Sequence, residues 1–430
     1  MALRYGFSVR LLALFIGKLV LLLGRMLGKR GSSFPGLVVE KIYPGFLPET
    51  LAGLPGGVIL VSGTNGKTTT VKMVAEILAT QQPVLTNKTG ANFTRGIISS
   101  ILAESSWRGG LAATSAVFEV DEAWAARMVQ QVRPHGVLIT NVMRDQMDRF
   151  GEIDHTANLL GDVVAAATHF VVLNADDARV RAMAVRSQVS VTYFGVGADL
   201  RRVFISDDEL YAADIDVAAK HAERPAPDVV LEQIEPGAIT VAVKGKHARV
   251  PLQVYGSHNA QNATAAIGVG LRTGVPLADA AAGLGRMEAA FGRGEFIELN
   301  GQRLLLQLVK NPGGFRYSLM DIATVTPAEA LIAINDDYAD GRDVSWLWDV
   351  DFRSLGQWPV STTGTRAEDM ALRLEYDGVA VRSCVPDMRT AVAELSKRHP
   401  EGATLVVCAT YTAMFEMRRI LASMTEVSPV

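Results

Sequence analysis

Residues 57–70 read GVILVSGTNGKTTT. An apolar run, Val58 to Val61, stops at Ser62-Gly63. The turn Gly63-Thr64-Asn65-Gly66 follows, then Lys67-Thr68-Thr69-Thr70 and the helical pattern VKMVAEILAT. Strand, glycine loop and helix start is the layout that cradles a polyphosphate. Free backbone N–H groups at the helix N-terminus point at the anion, a lysine reaches the terminal phosphates, and a hydroxyl ligates Mg²⁺. Val61 stands where the strict Walker spacing has a glycine, so this is the shorter Gly-Thr-Asn-Gly-Lys-Thr-Thr form. A bare strand-to-helix turn would not require the Gly-Lys-Thr core and the flanking pattern together.

Other groups follow apolar runs in the same manner. Phe118-Glu119-Val120-Asp121-Glu122 ends the run from Ser115 to Val117. Carboxylates at the C-terminal end of a strand beside such a loop commonly hold Mg²⁺; the alternative is a solvated helix start enriched in acids. Thr140-Asn141 and the polar stretch through Arg149 follow Gly136 to Ile139, and Leu173-Asn174-Ala175-Asp176-Asp177 closes a further strand. Gly256-Ser257-His258-Asn259-Ala260-Gln261-Asn262 opens a helix, and a spacing of three places Asn259 and Asn262 on one face. On its own, a histidine in the position of His258 is more often a cap or a core residue than a ligand.

The elements that must position these groups alternate. Strand and helix patterns succeed one another from 57 to about 185, which predicts a doubly wound parallel α/β domain. Residues 196–250 differ: charged, with short alternating strands in VFISDDELYA and AITVAVKGKHARVPLQV, they read as a β-rich insertion. Helical periodicity returns at 258–290, and a final α/β unit runs from about 297 to 430, with strands at 304–309, 329–336 and 404–410. The expected organisation is an N-terminal helical segment 1–56, a central domain 57–296 and a C-terminal domain 297–430. The N-terminal stretch LLALFIGKLVLLL (11–23) is too short to span a bilayer and is interrupted by Lys18. An amphipathic helix packed on the body or lying at a membrane surface is expected, with an anchor or signal segment as the alternatives.

Composition narrows the function. With 430 residues and 49% hydrophobic content, the chain can bury two or three cores. A formal net charge of −3 offers no basic field for nucleic acid. Only Cys384 and Cys408 are present, far apart, so there is no cysteine spacing for a metal and a reducing, cytoplasmic setting is expected.

Taken in order, Gly63-Thr64-Asn65-Gly66-Lys67-Thr68-Thr69, Glu119, Thr140-Asn141, Leu173 to Asp177, Gly256-x-His258-Asn259-x-x-Asn262 and Gly292-Arg293-x-Glu295 resemble the Mur ligase superfamily, ATP-dependent acid–amine ligases. The likeness covers residues 57 to 296. It implies a central P-loop ATPase domain followed by a smaller Rossmann-like α/β domain. Asn87 to Gly96, Arg144 to Glu152, Ala290 to Glu295, Asn311 to Phe315 and Asp343 to Phe352 look like the MurT branch, the ligase-like subunits of lipid II isoglutaminyl synthase. With these, the resemblance covers nearly the whole chain. There are departures. Gln146 stands where other members place a metal-ligating histidine, no lysine lies between Arg149 and Asn174 to be carbamylated, and the 196–250 insertion lacks the cysteines of a zinc ribbon, so no zinc is expected.

The resemblance implies ATP and Mg²⁺ as cofactors and lipid II as substrate, with amidation of a D-glutamate α-carboxylate through an acyl phosphate. Lys67 is implied on the β/γ-phosphates, with Thr68 and Glu119 on Mg²⁺. Gly63 to Thr69, Asn141, Asn174, Asp176, His258, Asn259, Asn262 and Arg293 are implied around the nucleotide. Ammonia is implied to come from a GatD-like glutaminase partner, because neither cysteine has a nucleophile's context. An Asp of the present chain would complete that partner's Cys-His pair. Asp343, Asp349 and Asp351 are available; alternation places Asp349 and Asp351 on one face of an extended segment, and Asp349 is the choice. The competing readings are a stand-alone ligase adding an amino acid and a non-catalytic ATP-binding scaffold.

Overall fold

A computed structural model describes residues 2–26, 33–87, 94–144, 153–201, 203–204, 224–287 and 293–425. Two compact units emerge. The first comprises Met1–Val142, Phe150–Leu252 and Ala260–Met287; the second comprises Met143–Arg149, Gln253–Asn259 and Glu288–Val430.

The first unit is built on nine strands: β1 (Val58–Ser62), β2 (Val84–Thr86), β3 (Ser115–Glu119), β4 (Gly136–Ile139), β5 (Phe170–Asn174), β6 (Ser190–Val196), β7 (Val229–Glu235), β8 (Ala238–Val243) and β9 (Lys246–Pro251). Their order in the sheet is β2-β3-β1-β4-β5-β6-β7-β8-β9. Every residue of β1, β3, β4 and β5 is buried. Such unbroken apolar runs, without alternation, are what parallel strands covered on both faces require. The strands from β2 to β7 pair in parallel; β7, β8 and β9 then form an antiparallel meander. The β-rich stretch expected within the central domain is this meander, and it extends the main sheet. Most of VFISDDELYA lies outside the described residues. Lys244-Gly245, both at positive φ, make the tight turn between β8 and β9.

Helices α1 (Ala2–Met26), α2 (Phe34–Ile42) and α3 (Phe46–Ala52) precede β1, and α4 (Lys67–Leu78), α5 (Thr94–Glu104) and α6 (Glu122–Met128) follow within the sheet's first half. Ala13 and Leu14 of α1 are buried in the same core as Ile97, Ile101 and Leu102 of α5. Lys18 is buried too: its Nζ donates to the carbonyls of Leu102 at 2.6 Å and Ser105 at 2.5 Å, at the C-terminal end of α5. Among the described residues no helix is long and apolar enough to cross a membrane.

The second unit has six strands, β10 (Arg293–Leu299), β11 (Gln302–Leu308), β12 (Glu329–Ala333), β13 (Val360–Thr363), β14 (Val381–Cys384) and β15 (Thr404–Ala409), ordered β10-β11-β15-β12-β13-β14. Only β10 runs antiparallel, turning into β11 at Asn300-Gly301, both at positive φ. Separate apolar cores hold Leu304, Leu331 and Val407, and Leu305, Ile332 and Val406: consecutive residues that the pleat sends to opposite faces.

Candidate active site

In the first unit the glycine loop leaves the carboxyl end of β1 and delivers its chain into the N-terminus of α4. Gly66, immediately before the helix, has φ +84°, and Gly63 has φ +126°. A Cβ at Gly63 would collide with Thr140 and Asn141, and one at Gly66 with the Asn262 side chain. Only glycine satisfies both the left-handed backbone and the close approach.

The loop's shape is set by the segment after β4. The Thr64 N–H donates to the Asn141 carbonyl at 2.9 Å. The Asn65 N–H donates to Asn141 Oδ1 at 2.9 Å, and Asn141 Nδ2 donates back to the Asn65 carbonyl at 3.1 Å. Thr140 Oγ1 donates to the same carbonyl at 2.8 Å. One strand further out, Asn174 Nδ2 donates to the Thr140 carbonyl at 2.9 Å, and Asn174 Oδ1 accepts from the Asp176 N–H. Asn141 and Asn174 thus hold the loop and the segment behind it through backbone bonds.

Lys67 is buried. Its Nζ donates to the Gly63 carbonyl at 2.6 Å and to Glu122 Oε1 at 2.9 Å. Burial by itself would push the ammonium's pKa down; Glu122 first, then Glu119 and Asp121, outweigh this and hold it above the ordinary lysine value. Glu119 and Glu122 are themselves buried. The backbone of Glu119 is clamped by Asn87, whose side chain accepts from the Glu119 N–H and donates to the Glu119 carbonyl, both at 2.9 Å. Glu122 is the residue the sequence underrates: there it reads only as a metal carboxylate or a solvated helix-start acid, and only the fold turns it onto Lys67. Asn87 entered only as part of a branch motif.

Asp176 is occupied otherwise. It lies 2.9 Å from Arg224 Nε, and its other oxygen accepts from the Val196 N–H at 2.8 Å. Burial raises its pKa to about 6, against the opposing pull of Arg224. Asp177, beside it, caps the helix Ala178–Ala182 and accepts from the Val142 N–H.

Asn262 lies in the first unit, its side chain packed where a Cβ on Gly66 would stand. His258 and Asn259 belong to the second unit. There Asn259 Nδ2 donates to the Tyr255 carbonyl at 2.6 Å, and His258 Nδ1 lies 3.9 Å from Asp321 Oδ2. Arg293 begins β10, but its side chain lies outside the described residues, as does Gln146.

The three acids of the second unit differ sharply. Ser345–Asp349 is a 3₁₀ turn, so the extended alternation expected for Asp349 and Asp351 does not occur. Asp343 accepts from the Ser345 N–H at 2.8 Å and opens that turn. Asp351 is paired with Arg353, 2.9 Å from its Nε. Asp349 is exposed and, among the described residues, has no hydrogen-bond or ion-pair partner. Beside it Trp348 is half exposed, packed edge-on against Tyr376 and over Arg373.

A glycine loop at the carboxyl ends of a parallel sheet, feeding a helix with a buried lysine and carboxylates at its mouth, defines the P-loop α/β class. The chain belongs to the Mur ligase family: the Mur ligase middle domain matches residues 61–270 and the MurT ligase C-terminal domain matches residues 308–414. It is 29% identical over 404 residues to the lipid II isoglutaminyl synthase (glutamine-hydrolyzing) subunit MurT of Staphylococcus aureus, covering 86% of this chain and 88% of that one. The subunit of the same name from Streptococcus pneumoniae is 28% identical, covering 92% and 93%. Among solved structures, MurF from Acinetobacter baumannii superposes with a TM-score of 0.69 at 20% identity, covering 90% of this chain and 80% of that one. MurF from Thermotoga maritima in complex with ADP gives 0.66 at 16% identity, covering 90% and 84%. These structures establish the fold, including the two units built on largely parallel sheets.

Proposed function

We propose that this chain is the ligase subunit of a lipid II isoglutaminyl synthase, a carbon–nitrogen ligase that uses ATP to amidate the D-glutamate α-carboxylate of the stem peptide. The observation that carries this reading is the buried Lys67 in its glycine loop, in a chain that aligns over most of its length with subunits bearing that name. In this reading residues 57–296 are the ATP-binding domain and 297–430 the MurT-type C-terminal domain.

The chemistry follows from what opposes it. A carboxylate resists nucleophiles because its charge and resonance must be lost. Transfer of the γ-phosphoryl group of ATP to a carboxylate oxygen gives an acyl phosphate. Ammonia then attacks the carbonyl carbon, phosphate leaves, and the amide remains. Little covalent work is needed from the protein in the first step, which is governed by positioning and charge neutralisation.

The loop suits that task. Gly63 and Gly66 let the backbone turn left-handed while packed against Thr140, Asn141 and Asn262, and the start of α4 presents backbone N–H groups to an anion. Lys67, protonated and held by Glu122, is placed to transfer its contact to phosphate oxygens. Among the described residues no three His, Cys, Asp or Glu are grouped to hold a metal. Mg²⁺ needs no such group beside phosphates, since it retains water and takes one or two protein oxygens; the Thr68 hydroxyl and the Glu119 carboxylate would supply these. Bound there, the ion would neutralise phosphate charge.

Ammonia is assigned to a GatD-like glutaminase bound to this chain. Cys408 is buried, its thiol pushed far up by that burial, and Cys384 is the only other thiol. Asp349, exposed and without a partner among the described residues, is the acid offered to that partner's Cys-His pair. A lipid-linked substrate would bring the complex to the cytoplasmic face of the plasma membrane.

The test is an amidation assay with lipid II in detergent, ATP, Mg²⁺ and glutamine, with and without the co-expressed glutaminase, scored by mass spectrometry as replacement of OH by NH₂. Product only with both subunits supports the reading. Addition of a whole amino acid by this chain alone would turn it into a stand-alone ligase, and absence of ATP turnover by the pair would reduce it to a scaffold.

A further inference from the structure

We propose that the outward face of α1, together with Trp107 and Arg108, is a docking surface for an anionic lipid bilayer on which the helix lies flat. Leu12, Phe15, Leu19, Leu22, Leu23 and Met26 recur at helical spacing, and each is between 41% and 83% exposed. The opposite face is already used: Ala13, Leu14 and Lys18 are buried against the body, and Lys18 is bonded to the end of α5. A helix fixed along one side cannot turn to cross a bilayer, yet its free side can enter the headgroup and upper acyl region in plane.

Charge selects the occupant. The chain as a whole is net negative, but its first 39 residues hold, besides the body-facing Lys18, Arg4, Arg10, Arg25, Lys29 and Arg30 and no Asp or Glu. Trp107 is half exposed, its ring 5.4 Å from that of Phe15, so an aromatic ring of the kind favoured at membrane interfaces flanks the apolar stripe. Arg10 and Arg108 line a cavity of about 230 Å³ together with Leu11, Leu14, Phe46, Ile101 and the hydroxyl residues Thr50 and Ser105. Apolar walls with cationic groups suit an anionic lipid. A second copy of the chain would instead set one basic helix against another, a repulsive pairing.

The experiment is flotation of the full chain with unilamellar vesicles of phosphatidylcholine alone or mixed with phosphatidylglycerol. Binding is expected to the anionic vesicles, weakening with salt. It should fall about fivefold for Arg25→Ala and again for Arg108→Ala, and roughly a hundredfold for the combined Phe15→Ser, Leu19→Ser and Leu23→Ser variant. A readout that needs no disruptive variant is quenching of Trp fluorescence by lipids brominated on their acyl chains, which should drop in Trp107→Phe. Equal, weak partition into both vesicle types with no quenching overturns the proposal. So does a solution dimer that the triple variant converts to monomer, which would make this face a contact between copies. The vesicles contain no peptide-bearing lipid, so the outcome is independent of the amidation reading.

Discussion

Lys67 is held in a buried position by a carboxylate that would have to yield it to phosphate. Its contacts with Gly63 and Glu122 keep it charged and fixed in the loop. Lys67→Met is expected to lower ATP-dependent amidation at least about a hundredfold, the cost of removing one preorganised donor to developing charge. Product formation at saturating ATP measures it; a loss confined to KM would show that the lysine binds phosphate equally in ground and transition states. Asp349 should behave differently. Asp349→Asn is expected to reduce glutamine-dependent amidation by the complex about a thousandfold or more, while amidation driven by added ammonium salt persists. Equal loss with both nitrogen sources would place Asp349 in the ligase reaction and remove it from the partner's triad.

Elements set the tolerance of these residues to change. The left-handed Gly66 joins β1 to α4 under Asn262, so Gly66→Ala imposes a strained φ and a collision together. A loss of about 2 kcal/mol or more is expected, read as a lowered thermal midpoint. In the second unit, Asp321 lies on the helix Pro312–Val325 and accepts from the Ser257 N–H and hydroxyl and from Gln307 Nε2. Burial nevertheless raises its pKa from 3.8 to about 6. The folded state therefore retains a proton that the unfolded chain gives up between these values. The cost of burying the carboxylate is absent below the unfolded pKa, grows as pH rises, and is complete above about 6. Asp321→Asn lacks this titration. Its stability relative to the parent should rise from pH 4 to pH 7, by about 2 kcal/mol; a difference independent of pH would mean that Asp321 titrates alike in the folded and unfolded chain.

For the whole molecule, the two units set what can be read from melting and from assays. Mg²⁺ and ATP at a hundredfold excess over the dissociation constant should stabilise the native chain by about 2.7 kcal/mol, by mass action. Scanning calorimetry with and without Mg-ATP checks this, and Lys67→Met should abolish most of the shift. No shift in the parent chain would remove the glycine loop from nucleotide binding.

Much of the organisation was written in local pattern. Val58 to Ser62 and Ser115 to Glu119 are strands because unbroken apolar runs suit a sheet covered on both faces, and Gly63 and Gly66 shape the loop after β1 because glycine alone takes a left-handed backbone in such close contact. These properties belong to residues and their near neighbours, so the sequence by itself determined the P-loop, the alternating strands and helices, and the family. Tertiary structure decided the rest. Lys67 and Glu122 are 55 positions apart and meet because β1 and β3 lie side by side. Asn141 reaches the loop because β4 flanks β1 on its other edge, and the meander of β7 to β9 joins the main sheet through pairing at β6. Asp349 is separated from Asp343 and Asp351 by which backbone and arginine groups the fold supplies to the latter two. Pairing between distant segments carries no local signature, because its free energy is gained only when the chain has closed around it.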